Sequence, residues 1–123
     1  MDMVTMNIVE SAMVAICREM GVNVQKTAYS TIFSEAEDFT CALASPEGEM
    51  IAVAEYCPAQ IGGVPLLVRS MVKEVSLANI HEGDVIVHND PYRGGLHTPE
   101  HTMFKPIFVD GELMGFAVTI GHF

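Results

Sequence analysis

Residues 88–101 read HNDPYRGGLHTPEH, and the rest of the chain is organised around them. The segment holds three of the five histidines of the protein and lies between runs that have the composition of β-strands. Asn89, Asp90 and Pro91 predict a turn, because Asn and Asp side chains bond the backbone two residues on and Pro fixes φ near about −65°. The sequence therefore predicts a rigid polar loop that other parts of the chain hold in place.

Side chains with the chemistry of metal ligands follow the glycine pair of this loop. Gly94 and Gly95 permit a positive φ or a close approach of the backbone to another group. Behind them, His97, Glu100 and His101 supply imidazole and carboxylate groups that can coordinate one divalent cation or share a proton. Solvated loop histidines give the same pattern, so a ligand-bearing loop and a purely structural loop both stay open at this point.

Length and composition bound the class of protein. A chain of 123 residues is enough for one domain with one core. Half of the residues are hydrophobic, so we expect some apolar surface to contact another chain or a further part of this protein. The net charge of −10, with six Lys and Arg residues, argues against nucleic acid and anionic membranes as partners, because both bind clustered positive charge.

The cysteines and the N-terminus indicate the compartment. Cys17, Cys41 and Cys57 are an odd number, lie far apart and include no Cys-X-X-Cys pair. This spacing favours reduced thiols over a disulfide framework or a zinc knuckle. The first residues are acidic where a signal peptide is basic, and no apolar run reaches the roughly 18 residues of a membrane span. We therefore expect a cytoplasmic protein.

The first half of the chain predicts a helix and a hairpin. Apolar residues share one side of a helix from Val4 to Met20, and Val14 alone interrupts its polar side. The apolar side is expected to be buried and consists of Val4, Ile8, Val9, Ala12, Met13, Ile16, Cys17 and Met20. Gly21 is expected to end this helix, with a continuation towards Lys26 left open, and residues 22–33 are expected to be irregular. Alternating residues over 38–44 and an apolar run over 50–54 predict two strands joined by a turn at 45–48.

The second half predicts another helix and three strands. Pro65 fits the first turn of a helix over residues 64–77. Short strands are expected over 85–87, 103–109 and 113–120, and Asp110-Gly111 is a strong two-residue hairpin signal between the last two. These elements predict an α+β fold with mainly antiparallel pairing, in which residues 1–123 are a single domain or a portion of a larger one. Because the chain stops directly after an apolar strand, a further chain is expected to complete the fold.

Three stretches resemble a known family. Residues 89–97, NDPYRGGLH, closely resemble the signature NDPYXGGTH of the hydantoinase B and oxoprolinase family, which also includes the large metal-binding subunit of acetone carboxylase. Residues 27–30, TAYS, and 38–43, DFTCAL, are similar to two upstream blocks of that family at matching separation. The resemblance covers almost the whole chain and implies the N-terminal portion of a hydantoinase B-like subunit of several hundred residues.

The resemblance also implies a set of metal ligands. In the family the metal is held by the His after the glycine pair, an Asp three residues on, and a His in a later block. These correspond to His97, Glu100 and His122. Glu100 replaces the usual Asp, which keeps the charge and lengthens the side chain by one methylene group. Phe123 stands where the later block has a second His, so that part of the family's pattern is absent from this sequence.

Further positions of the resemblance concern the loop and the substrate. We expect the following loop residues to bind or position substrate: Asn89, Asp90, Gly94 and Gly95. Tyr56 and Gln60 stand where many hydantoinase B proteins have His, which is consistent with a branch of different substrate specificity. No residue of this chain is assigned as a catalytic acid, base or nucleophile.

The resemblance implies a function in a larger complex. The chain is expected to be the metal-binding subunit of an ATP-dependent cyclic amide hydrolase that acts with a separate, hydantoinase A-like ATP-using subunit. In such systems the partner phosphorylates an amide or enol oxygen, and the metal-binding subunit, which holds a divalent cation such as Mn, Zn or Fe, completes the reaction. Two alternatives stay open: a subunit of an ATP-dependent carboxylase of ketones such as acetone or acetophenone, and a non-catalytic assembly subunit.

Overall fold

A computed structural model describes residues 1–29, 31–54 and 56–122, with backbone alone at 32 and 33. The fold is α+β, as predicted. This part of the chain has four α-helices, namely α1 (Met3–Thr27), α2 (Thr31–Ser34), α3 (Pro58–Ile61) and α4 (Val64–Val75), and two short 3₁₀ helices at Leu77–Asn79 and Pro91–Arg93. The strands are β1 (Phe39–Ala44), β2 (Met50–Val53), β3 (Ile86–His88), β4 (Glu100–Val109) and β5 (Glu112–His122).

The five strands form one sheet in the order β2-β1-β5-β4-β3, with every neighbouring pair antiparallel. The sequence predicted each strand, but it predicted a separate hairpin and a separate three-strand unit. Pairing between β1 and β5 joins these two parts, and Phe39 lies opposite Gly121 at one end of that ladder. The central strand β5 is thus the last of the described strands and packs between two earlier ones.

The hairpin of β4 and β5 has the predicted turn. Asp110 and Gly111 both have positive φ, 51° and 80°, as a two-residue type I′ turn requires. The ladder then shifts by one residue, because Phe108 pairs with Leu113 and Ile107 pairs with Gly115, which leaves Met114 as the extra residue of a β-bulge. Beyond the bulge the register is regular up to the pair of Glu100 and His122.

Helices cover the two faces of the sheet. Helix α4 packs on one face through Val64, Leu67, Val68 and Met71, and meets Phe104, Phe116, Val118 and Ile120 from β4 and β5. Helix α1 packs on the opposite face, where Cys17 contacts the cluster of Leu43, Ala52 and Ala54. The main core therefore lies under α4, and the smaller contact with α1 lies over β1 and β2.

Helix α1 buries only part of the side that was predicted to be buried, where Cys17 is fully buried and Met13 and Met20 pack against the sheet. Val4, Ile8 and Ile16 were predicted to be buried, but they are 69%, 64% and 49% exposed. Val14, which was predicted to lie on the polar side, packs against the α1–β1–β2 cluster instead. Apolar residues occur on most sides of this helix, so the sequence pattern alone does not select the side that meets the sheet.

The end of α1 is also different. The helix does not end at Gly21 but continues to Thr27, so residues 22–27 are not irregular, and α2 follows at residues 31–34. Gly21 is buried, and a Cβ atom there would overlap the ring of Tyr56. Tyr56 donates from its hydroxyl to the carbonyl of Arg18 at 3.2 Å. The glycine thus permits a close approach of the tyrosine ring to the helix rather than ending the helix.

The three cysteines are reduced, as the sequence predicted. Cys17, Cys41 and Cys57 are free thiols. Burial raises the pKa of Cys41 to about 11 and also raises the pKa of Cys17.

Within the described ranges, no helix has both the length and the apolar character needed to cross a bilayer.

Replacement of Gly115 by alanine is expected to destabilise the fold. A Cβ atom at this position would overlap the carbonyl oxygen of Ala44, and a backbone atom cannot move away as a flexible side chain can. We expect Gly115→Ala to lower the free energy of unfolding by about 1–3 kcal/mol, measured by urea denaturation. Gly62→Ala is the matched control, because Gly62 has a φ of −62° and open space around it. Equal stability of the two variants would contradict this account of the β1–β5 contact.

Candidate functional site

Two histidines that are distant in sequence meet at one end of the sheet. His97 follows the loop, and its carbonyl accepts a hydrogen bond from the backbone amide of Glu100 at 3.1 Å. His122 lies at the end of β5, and its ring is 4.8 Å from the ring of His97, centroid to centroid, at an interplanar angle of 84°. The Nδ1 atom of His122 is buried and has no hydrogen-bond partner among the described residues. The structure thus brings two of the predicted ligands together.

Glu100 is the third predicted ligand and is almost fully buried, at 3% exposure. It lies directly opposite His122 on the neighbouring strand, so both side chains project from the same face of the sheet. Its Oε1 accepts a hydrogen bond from Nε2 of Gln60 at 2.8 Å, and its Oε2 accepts one from the amide of Leu96 at 2.9 Å. The carboxylate is therefore held from two sides next to the histidines.

Asp38 and Gln60 join the same cluster. The amide of His122 donates to the carbonyl of Asp38 at 3.3 Å, which continues the β1–β5 register and sets Asp38 opposite His122. Asp38, His122 and Glu100 thus form a row across three adjacent strands. Gln60, on α3 and 2% exposed, donates from Nε2 to Oδ1 of Asp38 at 3.1 Å as well as to Glu100. The amide of Gln60 therefore spans the two carboxylates that flank His122.

Neither Asp38 nor Gln60 was predicted as a site residue. Asp38 was named only as the first residue of a predicted strand and of the block DFTCAL, and Gln60 was noted only as a departure from the family. A signal for Asp38 was present, since an acid at the start of β1 reaches the end of β5 once those two strands are paired. The signal for Gln60 was its place at a position where many family members have His, but the sequence did not predict the four-residue helix α3 that carries it or the carboxylates that it contacts.

The predicted loop residues make contacts that fix the backbone. Oδ1 of Asp90 accepts a hydrogen bond from the amide of Tyr92 at 2.9 Å, and Nδ2 of Asn89 donates to the carbonyl of Thr98 at 3.3 Å, which ties the two ends of the loop together. Gly95 lies over the backbone of Asp90, where a Cβ atom would be 3.2 Å from the carbonyl oxygen. These contacts account for the loop shape, and a role of these residues in substrate binding stays a prediction.

The loop is seated on the N-terminal end of α4. Gly94 has a φ of 107°, and a Cβ atom there would be 3.1 Å from Cγ and 3.2 Å from the backbone nitrogen of Leu67. Arg93 adds ion pairs with Glu74 on α4, at 3.4 Å, and with Asp90, at 3.6 Å. The side chains of Arg93 and Glu74 are about half exposed, so the close glycine contact contributes more to the seating than the ion pairs do.

The cluster has the donor groups of a divalent metal site without a finished coordination geometry. Two imidazoles and a carboxylate suit Zn, Mn or Fe ions. The Nδ1 atom of His122 is buried without a hydrogen-bond partner, so it is free to act as a metal ligand. In the described part of the chain, however, no three His, Cys, Asp or Glu side chains stand close enough to form a metal-binding group as they lie. The carboxylate of Glu100 faces Gln60 and Leu96, so metal binding would require a change in side-chain conformation.

Comparison with known proteins assigns the family. The model of the hydantoinase B/oxoprolinase family matches residues 2–123. This chain belongs to the hydantoinase B/oxoprolinase family. It is 38% identical to 5-oxoprolinase 1 of Arabidopsis thaliana over 121 residues, and 36% identical to the beta subunit of caprolactamase of Pseudomonas jessenii over 122 residues. These alignments cover 98% of this chain in both cases.

Solved structures have the same fold. The crystal structure of the ATP-dependent caprolactamase of Pseudomonas jessenii superposes with a TM-score of 0.89 at 34% identity over 99% of this chain. The nucleotide-free structure of acetone carboxylase superposes with a TM-score of 0.85 at 21% identity over 94% of this chain, which shows the shared fold. The chain spans 21% of the caprolactamase beta subunit and 10% of the plant 5-oxoprolinase, so it corresponds to a portion of these hydantoinase B/oxoprolinase proteins.

Two positions of the family resemblance lie outside the described residues. Ser30 closes the first upstream block, and Phe123 stands where the later block has its second His. Every residue of the signature NDPYRGGLH at 89–97 is described, and so are the predicted ligands His97, Glu100 and His122.

Gly94→Ala is expected to release the loop from α4. Both Gly94 and Gly83 have a positive φ, but a Cβ atom at Gly83 would meet nothing within 4 Å. We expect Gly83→Ala to cost about 1 kcal/mol for the left-handed backbone, and Gly94→Ala to cost at least about 1 kcal/mol more because of Leu67. Chemical denaturation of both variants measures the difference, and equal losses would show that the contact with Leu67 is unimportant.

Proposed function

We propose that this chain is part of the metal-binding subunit of an ATP-dependent cyclic amide hydrolase that works with a separate ATP-using subunit. The observation that carries the proposal is the meeting of His97 and His122, whose rings are 4.8 Å apart, beside the buried carboxylate of Glu100. These three residues come from a loop and two strands and are the ligands that the family resemblance implies. Membership of the hydantoinase B/oxoprolinase family supports the same assignment.

His97, Glu100 and His122 would hold the cation. Two neutral imidazoles and one carboxylate leave a divalent ion with net positive charge. When bound, such an ion supplies Lewis acidity, either polarising a carbonyl oxygen or lowering the pKa of a water molecule. His97 is exposed on the loop side, whereas Glu100 is buried, so substrate would approach from the side of His97. The seated loop keeps His97 over the end of β5.

The cyclic amide branch is favoured over the ketone branch by the relatives of higher identity. Those at 34–38% identity are named as a 5-oxoprolinase, a putative D-/L-hydantoinase and a caprolactamase, and the substrates in these names are cyclic amides. The hydantoinase and caprolactamase names each denote one subunit of an enzyme, which supports a partner of the hydantoinase A type. The carboxylase neighbour, at 21% identity, supports the fold only.

Metal analysis tests the ligand assignment. We expect the natively purified protein to hold about one divalent ion per chain, and His97→Ala to lose most of it, because one of three protein ligands is removed. His81→Ala is the matched control. The His81 side chain is exposed, and its ion-pair partner in the described part of the chain is Asp84, which lies outside the proposed site. Elemental analysis after gel filtration measures both. A native protein free of metal, or equal metal in both variants, would overturn the assignment.

Substrate-driven ATP hydrolysis tests the reaction class. The native protein with its copurifying subunits is supplied with ATP and either a hydantoin or lactam, or acetone or acetophenone with bicarbonate. We expect the cyclic amide to drive phosphate release and the ketone to leave it at the background rate. Phosphate release with the ketone alone would assign the carboxylase branch, and release with neither substrate would support the non-catalytic assembly subunit.

A further inference from the structure

The side-chain carbonyl oxygen of Gln60, Oε1, is buried and has no hydrogen-bond partner among the described residues. Such atoms are rare in folded proteins, and in the described part of this chain the same holds for one ring nitrogen each of His88 and His122. Gln60 and His122 belong to one cluster at the end of the sheet, because Gln60 contacts both carboxylates that flank His122. A buried acceptor that no protein group satisfies marks a place where a bound molecule can supply the donor.

The orientation of the Gln60 amide follows from its partners. Its Nε2 donates to Oδ1 of Asp38 at 3.1 Å and to Oε1 of Glu100 at 2.8 Å. Carboxylate oxygens accept hydrogen bonds, so these two contacts require the nitrogen and use both of its hydrogens. A rotation of the amide by half a turn would set its oxygen against two carboxylate oxygens. Oε1 of Gln60 is therefore fixed as an acceptor.

The backbone around Gln60 is fixed to β1. The amide of Cys57 donates to the carbonyl of Phe39 at 3.2 Å, and the hydroxyl of Thr40 donates to the carbonyl of Cys57 at 3.1 Å. The carbonyl of Gln60 accepts a hydrogen bond from the amide of Gly63 at 3.1 Å, directly before α4. Gln60 is thus anchored at both ends, and Oε1 has little freedom to find another partner.

A fixed acceptor distinguishes between the two substrate classes that were considered for this chain. A cyclic amide carries an N–H group beside its carbonyl and can donate to Oε1 of Gln60. A ketone has carbon on both sides of its carbonyl and no donor, so it would leave Oε1 unpaired. A site with a buried polar group rejects a ligand that leaves this group without a partner.

We propose that Gln60 is a specificity-determining residue, whose side-chain carbonyl accepts a hydrogen bond from the N–H group of a cyclic amide. It selects cyclic amides over ketones of the same size and shape. This inference rests on the proposed function, because it places the substrate of a cyclic amide hydrolase at this cluster.

Access to Gln60 requires movement of the side chains that cover it, since the residue is 2% exposed. His97 is the most exposed member of the cluster, belongs to a loop, and lies against the ring of His122. Movement of the His97 side chain therefore opens the cluster to a ligand. Once the ligand is bound, water is excluded from Oε1, which strengthens the hydrogen bond that the ligand donates.

Binding of caprolactam and cycloheptanone tests the proposal. Caprolactam is the cyclic amide in the name of the caprolactamase relative. Cycloheptanone has a ring of the same size, with CH₂ in place of the N–H group. Each compound is titrated without ATP into the natively purified protein with its copurifying subunits, and calorimetry gives the two dissociation constants. We expect caprolactam to bind at least about tenfold more tightly, because the ketone leaves a buried acceptor unpaired.

Gln60→Met assigns this preference to Gln60, because methionine keeps the length of the side chain and removes the acceptor. We expect the ratio of the two dissociation constants to fall by about tenfold in this variant. An unchanged ratio would overturn the proposal, and so would a native protein that binds neither compound or binds both equally.

Thr40→Val is the matched control for Gln60→Met. Thr40 is fully buried and anchors the same segment through Cys57, but it touches neither Asp38 nor Glu100 among its described contacts. We expect Thr40→Val to be less stable than the native protein in thermal unfolding and to keep the native ratio of dissociation constants. A fall of this ratio equal to that in Gln60→Met would show a general loosening of the segment and contradict a specific role of Gln60.

The outcomes separate this inference from the proposed function. If a cyclic amide drives phosphate release and Gln60→Met keeps the native ratio of dissociation constants, the proposed function stands and the role of Gln60 is wrong. If Gln60→Met loses the preference for caprolactam but no cyclic amide drives phosphate release, Gln60 recognises the N–H group and the proposed reaction is wrong.

Discussion

The antiparallel pairing of β5 with both β1 and β4 is the interaction on which the site depends. It joins parts of the chain that are about 20 to 80 residues apart, and it aligns Asp38, His122 and Glu100 in one row at the same end of the sheet. Cross-strand neighbours on one face lie within direct contact distance, so the row needs no loop to bring its members together. The signature loop adds His97 to this row, and the short helix α3 adds Gln60.

Burial gives the row its chemical character. A carboxylate as buried as Glu100 is stable only where hydrogen bonds replace its lost hydration, and hydrogen bonds to charged groups are worth about 1.5–3 kcal/mol each. Gln60 and the amide of Leu96 supply such bonds, one from α3 and one from the signature loop. The position of α3 and the shape of the signature loop are therefore coupled through one carboxylate.

Much of the fold could be predicted from the sequence, because the residues that decide it act on their own neighbours in the chain. Asp110-Gly111 specifies its turn by the positive φ of both residues, and Pro65 marks the start of α4. The side of α1 that meets the sheet was predicted only in part, because apolar residues surround that helix and only tertiary contacts decide between its sides. Gly21 was misinterpreted for a related reason, since its role depends on the ring of Tyr56, which is distant in sequence. In the site, the grouping of His97, Glu100 and His122 was predicted from the family signature. The resemblance also pointed to the position of Gln60, but the contacts of Gln60 with Asp38 and Glu100 depend on the three-dimensional fold.

The bulge at Met114 has a consequence for how this hairpin tolerates change in length. The extra residue sets the parity of all later positions of β5, and side chains alternate between faces with a period of two. An insertion of one residue at the turn, about 30 Å from the histidines at the usual rise per residue, would set Gly121 opposite Glu100 and point His122 towards the α1 face if the rest of the ladder stayed regular. A change of one residue in the hairpin therefore displaces His122 unless the turn or a bulge takes it up, so the length of this remote hairpin bears on the site.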